Sequence, residues 1–217
     1  MARQARLGRL WRGSSRLALA LAISAVATTA AVVAKKFGPW STPVSAEQGS
    51  DPSLNTAFND GCPILSPDGL SLFMATNRPG GLGGQDIWVA RRTSTRAGWG
   101  APQPLGEPVN STADDYCPTP VRGRGLFFVS KRSEPNGDIY FTRQHRDGSW
   151  QQPIHLGPNI NSPLEEWSPS FFIDRGRPTL YFSRNTPGTN SHDIYESVSF
   201  GPAQLAPGGV NGPLSDA

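Results

Sequence analysis

Short apolar runs separated by turn residues recur along the chain after Ala34. The clearest are Leu72–Asn77, Leu126–Lys131 and Leu180–Arg184. Each is five or six residues long, and no stretch of useful length shows helical periodicity. Runs of this length predict strands, and runs that are apolar on both faces are typical of sheets covered on both sides. The pattern therefore predicts an all-β fold.

The apolar runs belong to a repeat. An acidic residue opens each copy at Asp60, Asp115 and Glu166, at offsets of 55 and 51 residues. A second acidic residue precedes Ile-Trp or Ile-Tyr in every copy. This period predicts one four-stranded sheet per copy, which indicates a partial or open β-propeller of about three blades. The fourth strand of each blade is expected near Trp99, Trp150 and Phe200.

The repeat divides the chain into segments. Residues 58–217 contain the copies 58–111, 112–162 and 163–211 and a remnant at 212–217. Residues 35–57 are interpreted as a linker with an orphan outer strand, because Phe37–Trp40 and Leu54–Asn55 resemble the end of a copy. Residues 1–34 lack the repeat.

The N-terminal segment predicts a hydrophobic helix that directs export. Five arginines precede an uncharged run from Leu17 to Ala34. This order is typical of a signal peptide, and an uncleaved membrane anchor is the alternative. Both place the rest of the chain in the periplasm or outside the cell. Membrane contact is expected only through residues 17–34, if they are retained.

Composition and charge argue against a nucleic-acid-binding function. The chain has 24 Gly and 21 Pro, which favours turns over helices, and its net charge is +3. Residues 1–36 carry seven basic and no acidic side chains, so the remainder is acidic overall. Because phosphate binding needs basic charge on the folded surface, no nucleic-acid partner is predicted.

The first copy, Asp60 to Ala90, contains Asp-x-x-Pro, Ser-Pro-Asp-Gly, an apolar run ending in Thr-x-Arg, and Asp-Ile-Trp. It resembles the WD40-like (PD40) repeat of TolB-type β-propellers, and the likeness extends over about residues 37–216. The resemblance implies a propeller at the cell envelope. The second copy departs from the pattern at Pro120–Gly125 and the third at Phe172–Arg177, where Ser-Pro-Asp-Gly is expected.

The acidic residues that open the copies form the first candidate site. Asp60, Asp115 and Glu166 are expected around one mouth of a central channel. They either bind a cation such as calcium or a basic ligand, or they accept backbone hydrogen bonds at the blade junctions. No other cofactor and no metal centre are predicted, because His145, His155 and His192 lack metal-ligand spacing.

Cys62 and Cys117 occupy the same place in successive copies, each directly before a proline. Neighbouring inner strands converge toward a propeller axis, and export permits oxidation. The two residues are therefore either a disulfide between blades or two buried thiols.

Two further sets recur three times and are interpreted as structural. One is the acidic residue before Ile-Trp or Ile-Tyr, which accepts hydrogen bonds in a turn, and the other is an arginine that pairs with a nearby carboxylate. Trp88, Trp99 and Trp150 either stack on sugars or pack between sheets. The two structural sets are Asp86, Asp138 and Asp193, and Arg78, Arg132 and Arg184.

Three functions fit these observations. The main hypothesis is an exported, non-enzymatic binding or scaffold module that presents propeller-face loops to a protein, peptide or glycan of the envelope. The second is an extracellular hydrolase or lyase that acts on glycans through the acidic residues at the channel mouth. The third is a truncated remnant of a longer propeller. Because propellers contain four to eight blades, three copies indicate either a truncated or open arc or one half of a homodimer that completes six blades.

Overall fold

The computed structural model describes residues 41–189 and 191–206. The described residues from Pro43 onward belong to one compact unit. Within the described part the chain forms twelve strands in three antiparallel sheets, and it contains no helix that could cross a bilayer. The leader, the segment Phe37–Trp40 and the remnant 212–217 lie outside the described residues.

Each sheet is a four-stranded meander in chain order. Blade 1 contains β1 (Asp60–Leu65), β2 (Ser71–Thr76), β3 (Asp86–Arg91) and β4 (Gln103–Pro104). Blade 2 contains β5 (Asp115–Val121), β6 (Gly125–Ser130), β7 (Asp138–Arg143) and β8 (Ile154–His155). Blade 3 contains β9 (Glu166–Asp174), β10 (Arg177–Asn185), β11 (His192–Val198) and β12 (Gln204–Leu205). The three-bladed partial propeller that the repeat predicts is confirmed.

Blade 2 is the centre of the molecule because both its faces are covered. Leu126 and Phe128 of β6 pack toward blade 1, where they meet Phe73 and Val89. Phe127 and Val129, the alternate residues of the same strand, pack toward Leu180 and Phe182 of blade 3. The period of two along a strand sends successive side chains to opposite faces, so an uninterrupted apolar run fills two interfaces.

The outer face of blade 1 is covered by the segment before β1. Leu54 is buried there with Met74, Trp88 and Ala90. Residues 41–59 contain no strand, and the orphan outer-strand pattern at Phe37–Trp40 lies outside the described residues. The chain turns at Leu54, where the Leu54 amide donates to the Asp51 carbonyl.

The fourth strands begin four residues later than expected. β4, β8 and β12 are only two residues long and follow Trp99, Trp150 and Phe200 instead of containing them. Trp150 forms an isolated bridge with Gln144. Asparagine side chains hold these short edges: Asn110 accepts from the Ile87 amide and donates to its carbonyl, and Asn161 does the same at Ile139.

Candidate functional site

The three acidic residues that open the copies begin the inner strands β1, β5 and β9, and each pairs with an arginine of its own blade. Arg78 donates to Asp60, Arg132 to Asp115 and Arg184 to Glu166, all at 2.7 Å. Each carboxylate also accepts the amide and hydroxyl of a residue four positions earlier: Thr56, Ser111 and Ser162.

The same arginines fasten the connection that leads into the blade. Arg78 donates to the carbonyls of Ser53 and Leu54, and Arg132 donates to those of Pro108 and Val109. Arg184 donates to the Ile160 carbonyl. These contacts make each acid–arginine pair the junction between a blade and the chain before it.

The three acidic residues differ in how deeply their side chains are buried. The Asp115 and Glu166 side chains are fully buried, whereas that of Asp60 is 18% exposed. Burial raises the pKa of Glu166 despite the hydrogen bonds from Ser162 and Arg184. Burial of Asp60 acts in the same direction, but hydrogen bonds from Arg78, Thr76 and Thr56 outweigh it, so its pKa is lowered.

The structure does not assemble these acidic residues into a cation site. No group of three or more His, Cys, Asp or Glu side chains within residues 41–189 and 191–206 is arranged to hold a metal ion. Each of the three carboxylates is instead directed to its own Arg and Ser or Thr, which matches the interpretation that they accept hydrogen bonds at the blade junctions. Binding of a cation or a basic ligand stays a prediction.

Cys62 and Cys117 do come together, in the β-bulges of β1 and β5. Their sulfur atoms are 2.6 Å apart, with Cys62 exposed and Cys117 buried. Both have left-handed backbones, with φ of 47° and 46°. Ser168, the equivalent residue of blade 3, has φ of 50°, and its Oγ lies 4.0 Å from the Cys117 sulfur. A non-glycine residue in this region costs about 1–3 kcal/mol.

The second acidic set lies at the start of the third strands, where Asp86 and Asp138 are the first residues of β3 and β7 and Asp193 is the second residue of β11. Its members have different partners. Asp86 accepts from the amides of Leu82 and Gly83, and Asp193 accepts from the Thr186 hydroxyl. Asp138 lies 3.1 Å from Nε2 of His155, an ion pair when the ring is protonated. The Gly80–Gly84 loop passes so close to Asp86 that a Cβ at Gly81 would overlap its carboxylate.

The main open site lies at the other end of the inner strands, where the first two strands of each blade turn. Two confluent cavities of about 550 and 810 Å³ share Pro67, Pro120, Val121 and Arg122. We call this confluent space the hairpin groove. Its walls come from the hairpins β1–β2, β5–β6 and β9–β10.

The larger half of the hairpin groove is aromatic. Phe127 stacks against Phe141 and Phe171 with ring centroids 4.7 and 5.3 Å away. Phe172 and Ile173 leave 44% and 57% of their surfaces exposed. Arg122 and Arg143 are the charged residues of this half.

The smaller half of the hairpin groove is polar. Asp68, Gln144, Arg124 and Trp150 line it. The Ser66 hydroxyl and the Leu70 amide donate to Oδ1 of Asp68, at 2.6 and 2.9 Å. The hydrogen bond from Ser66 lowers the pKa of Asp68, so this carboxylate stays ionised. The arrangement offers apolar, cationic and anionic contacts along one continuous surface.

Sequence reasoning missed the hairpin groove, although a signal was present. The second and third copies depart from the repeat at Pro120–Gly125 and Phe172–Arg177, and these are the hairpins that form the walls. Trp88 and Trp99 pack in the cluster on the outer face of blade 1. Trp150 packs between blades 1 and 2 and also lines the hairpin groove.

No protein-family model and no curated protein match the chain. Several solved structures are similar to the chain. An endo-arabinase from Bacteroides thetaiotaomicron is 17% identical, with a TM-score of 0.48, over 69% of this chain and 61% of that one. A Penicillium chrysogenum α-L-arabinanase in complex with arabinobiose is 14% identical, with a TM-score of 0.47, over 66% and 48%. An α-L-arabinofuranosidase from Lactobacillus brevis is 13% identical, with a TM-score of 0.45, over 71% of this chain and 53% of that one.

The chain thus spans about half to three fifths of these structures' lengths. The likeness is one of fold. The structures of similar fold are named as arabinanases and other glycosidases, so the expectation of a non-enzymatic module is not supported by them.

Proposed function

We propose that this chain is a glycan-active β-propeller module of the hydrolase class that binds its polysaccharide along the hairpin groove. The observation that carries the proposal is the hairpin groove itself. It joins an aromatic half to a polar half across three blades, and two of its three hairpins depart from the repeat. The proposal therefore follows the hypothesis of a glycan-active hydrolase or lyase, and not that of a non-enzymatic scaffold.

The chemistry of the two halves suits a sugar chain. Sugars present apolar C–H faces that pack on aromatic rings and hydroxyl groups that bond to charged and amide side chains. The exposed face of Phe172 and the ring of Trp150 supply the first kind of contact. Arg122, Gln144 and Asp68 supply the second.

Asp68 is the carboxylate assigned to the reaction. Glycoside cleavage uses two carboxyl groups, of which one is ionised and one is protonated. The lowered pKa of Asp68 suits the ionised role. Asp68 is the single carboxylate among the residues that line the two cavities, and the role of the ionised group is therefore assigned to it.

Asp60, Asp115 and Glu166 are not assigned to the reaction. They begin inner strands that end at the hairpin groove, so six to nine residues, about 20 Å or more of strand, separate the two regions. Their carboxylates are also already bonded to arginine.

Binding and hydrolysis of α-L-arabinan oligosaccharides test the proposal first, because arabinanases are among the structures of similar fold. We expect calorimetric titration to show binding that Arg122→Ala weakens at least tenfold. Asp68→Asn is expected to abolish reducing-sugar release while retaining binding. A panel of other plant and bacterial polysaccharides extends the screen.

Two matched variants serve as controls. Asp51→Asn alters a carboxylate that also accepts from a nearby serine, but on the segment before β1. Arg96→Ala removes an exposed arginine that lines neither half of the hairpin groove. Equal loss in these controls, or no binding of any glycan by the folded chain, would overturn the proposal.

A further inference from the structure

The inner strands of blades 1 and 2 meet through two sulfur atoms. The Sγ atoms of Cys62 and Cys117 are 2.6 Å apart, whereas a disulfide bond is about 2.0 Å long. The two residues are 55 positions apart in the sequence. A small movement of the side chains therefore suffices to bond them.

The backbone brings these sulfur atoms together through the same device in both blades. Each cysteine lies at a register shift in its inner strand and has a left-handed φ. A β-bulge redirects a side chain out of the normal alternation of a strand. The bulge thus turns equivalent residues of adjacent blades toward each other.

We propose that Cys62 and Cys117 are a redox-active pair that closes to a disulfide between blades 1 and 2. With glutathione disulfide as the oxidant, the Cys62 thiolate attacks one sulfur and releases one glutathione thiolate, which leaves a mixed disulfide on Cys62. The Cys117 thiolate then attacks the Cys62 sulfur and releases the second glutathione. The two protons lost by the cysteines pass to the two glutathione thiolates, and the protein loses two electrons.

The environments of the two sulfur atoms determine the order of attack. Cys62 is exposed, and a hydrogen bond from the Cys117 thiol lowers its pKa to about 7. Cys117 is buried, and its interaction with Cys62 raises its pKa. The thiolate is the nucleophile, so Cys62 reacts first and Cys117 resolves the mixed disulfide. Ser168 continues the row in blade 3 and carries no thiol.

Closure of the bond joins two blades that otherwise meet only through packing and hydrogen bonds. Cross-linking residues this far apart removes loop-closure entropy from the unfolded chain. We expect the oxidised protein to melt about 10 °C above the reduced protein.

Intact mass spectrometry and thiol titration of the full chain test this assignment. After treatment with glutathione disulfide and denaturation, the wild-type protein is expected to have no free thiol, to have lost two hydrogens, and to carry no glutathione. Dithiothreitol restores both thiols.

Single variants test the order of attack. Cys117→Ser is expected to retain one glutathione on Cys62, while native Cys62→Ser stays unmodified because Cys117 is buried. A wild-type protein that keeps two free thiols, or that accumulates a stable glutathione adduct, would overturn the proposal. The wild-type measurement decides the matter even if a variant fails to fold.

Discussion

At the residue scale, a charge pair repeated in every blade differs from blade to blade in how deeply it is buried. The Asp115 and Glu166 side chains are inaccessible to solvent, and that of Asp60 is partly accessible. An unpaired charge is most costly where water cannot reach it. Equivalent arginines should therefore contribute unequally to stability.

Removal of Arg132 is expected to destabilise the protein more than removal of Arg78. Arg132→Ala leaves the Asp115 carboxylate buried without its cation and two carbonyl groups without their donor, a loss of about 3 kcal/mol in the free energy of unfolding. Arg78→Ala should cost about half of this, because water can reach Asp60. Urea unfolding measures both. Arg96→Ala is the control. If Arg132→Ala or Arg78→Ala lowers the free energy of unfolding no more than Arg96→Ala does, the acid–arginine pairs do not stabilise the blade junctions.

The pKa of Asp60 makes stability depend on pH. Its pKa is lowered in the folded protein, so its contribution is present above the ordinary value of 3.8 and is lost as the pH falls through the folded value. We expect the urea midpoint of the wild-type protein to fall more between pH 5 and pH 3 than that of Asp60→Asn. If the urea midpoints of the wild-type protein and of Asp60→Asn fall equally between pH 5 and pH 3, the ion pair with Arg78 does not keep the Asp60 carboxylate ionised.

At the element scale, the two-residue outer strands depend on side chains more than on their own ladders. Asn110 bonds both backbone groups of Ile87, and Asn161 bonds both of Ile139. A ladder of two residues supplies few backbone hydrogen bonds, so in blades 1 and 2 the asparagine adds to the bonds that tie the end of the copy to its third strand.

Loss of one asparagine should loosen one blade. Asn110→Ala leaves the buried amide of Ile87 without its partner, at a cost of about 2 kcal/mol, while the Leu105 amide still donates to the Ile87 carbonyl. Hydrogen exchange at Ile87 should accelerate while exchange at Ile139 stays unchanged. Asn159→Ala is the control, because Asn159 is exposed and donates only to the Phe200 carbonyl. Unchanged protection at Ile87 would refute the role of Asn110.

Local patterns in the sequence account for the long strands and fail for the short ones. β2 and β6 follow directly from apolar runs between turn signals. β4, β8 and β12 contain only two residues each, and β4 includes a proline, so neither alternation nor propensity identifies them. The β-bulges at Cys62, Cys117 and Ser168 are marked only by a following proline, which does not by itself specify a left-handed backbone.

At the scale of the whole molecule, the repeat predicts how the blades stack but not where a ligand binds. Blade order follows from the chain, because consecutive meanders pack face to face. The hairpin groove combines Asp68, Arg122 and Phe172, which lie in different copies. A site formed by hairpins more than 50 residues apart has no local pattern. In the sequence, the site is indicated only by the divergence of the β5–β6 and β9–β10 hairpins from the repeat.

The homodimer stays a prediction at this scale. The described residues form three blades, fewer than the four to eight of closed propellers. If a second copy completes the ring, sedimentation equilibrium should give twice the chain mass of 23.3 kDa at micromolar concentration. A monomer at that concentration would contradict it.

The central claim is that the hairpin groove binds a glycan. Hydrogen exchange with and without an arabinan oligosaccharide locates the ligand without any substitution. The account predicts slower exchange confined to the turns at 66–71, 120–125 and 171–177. Protection at the opposite ends of the inner strands, around Thr56–Asp60 and Ser111–Asp115, or no protection at a saturating concentration of a glycan that binds, would contradict it.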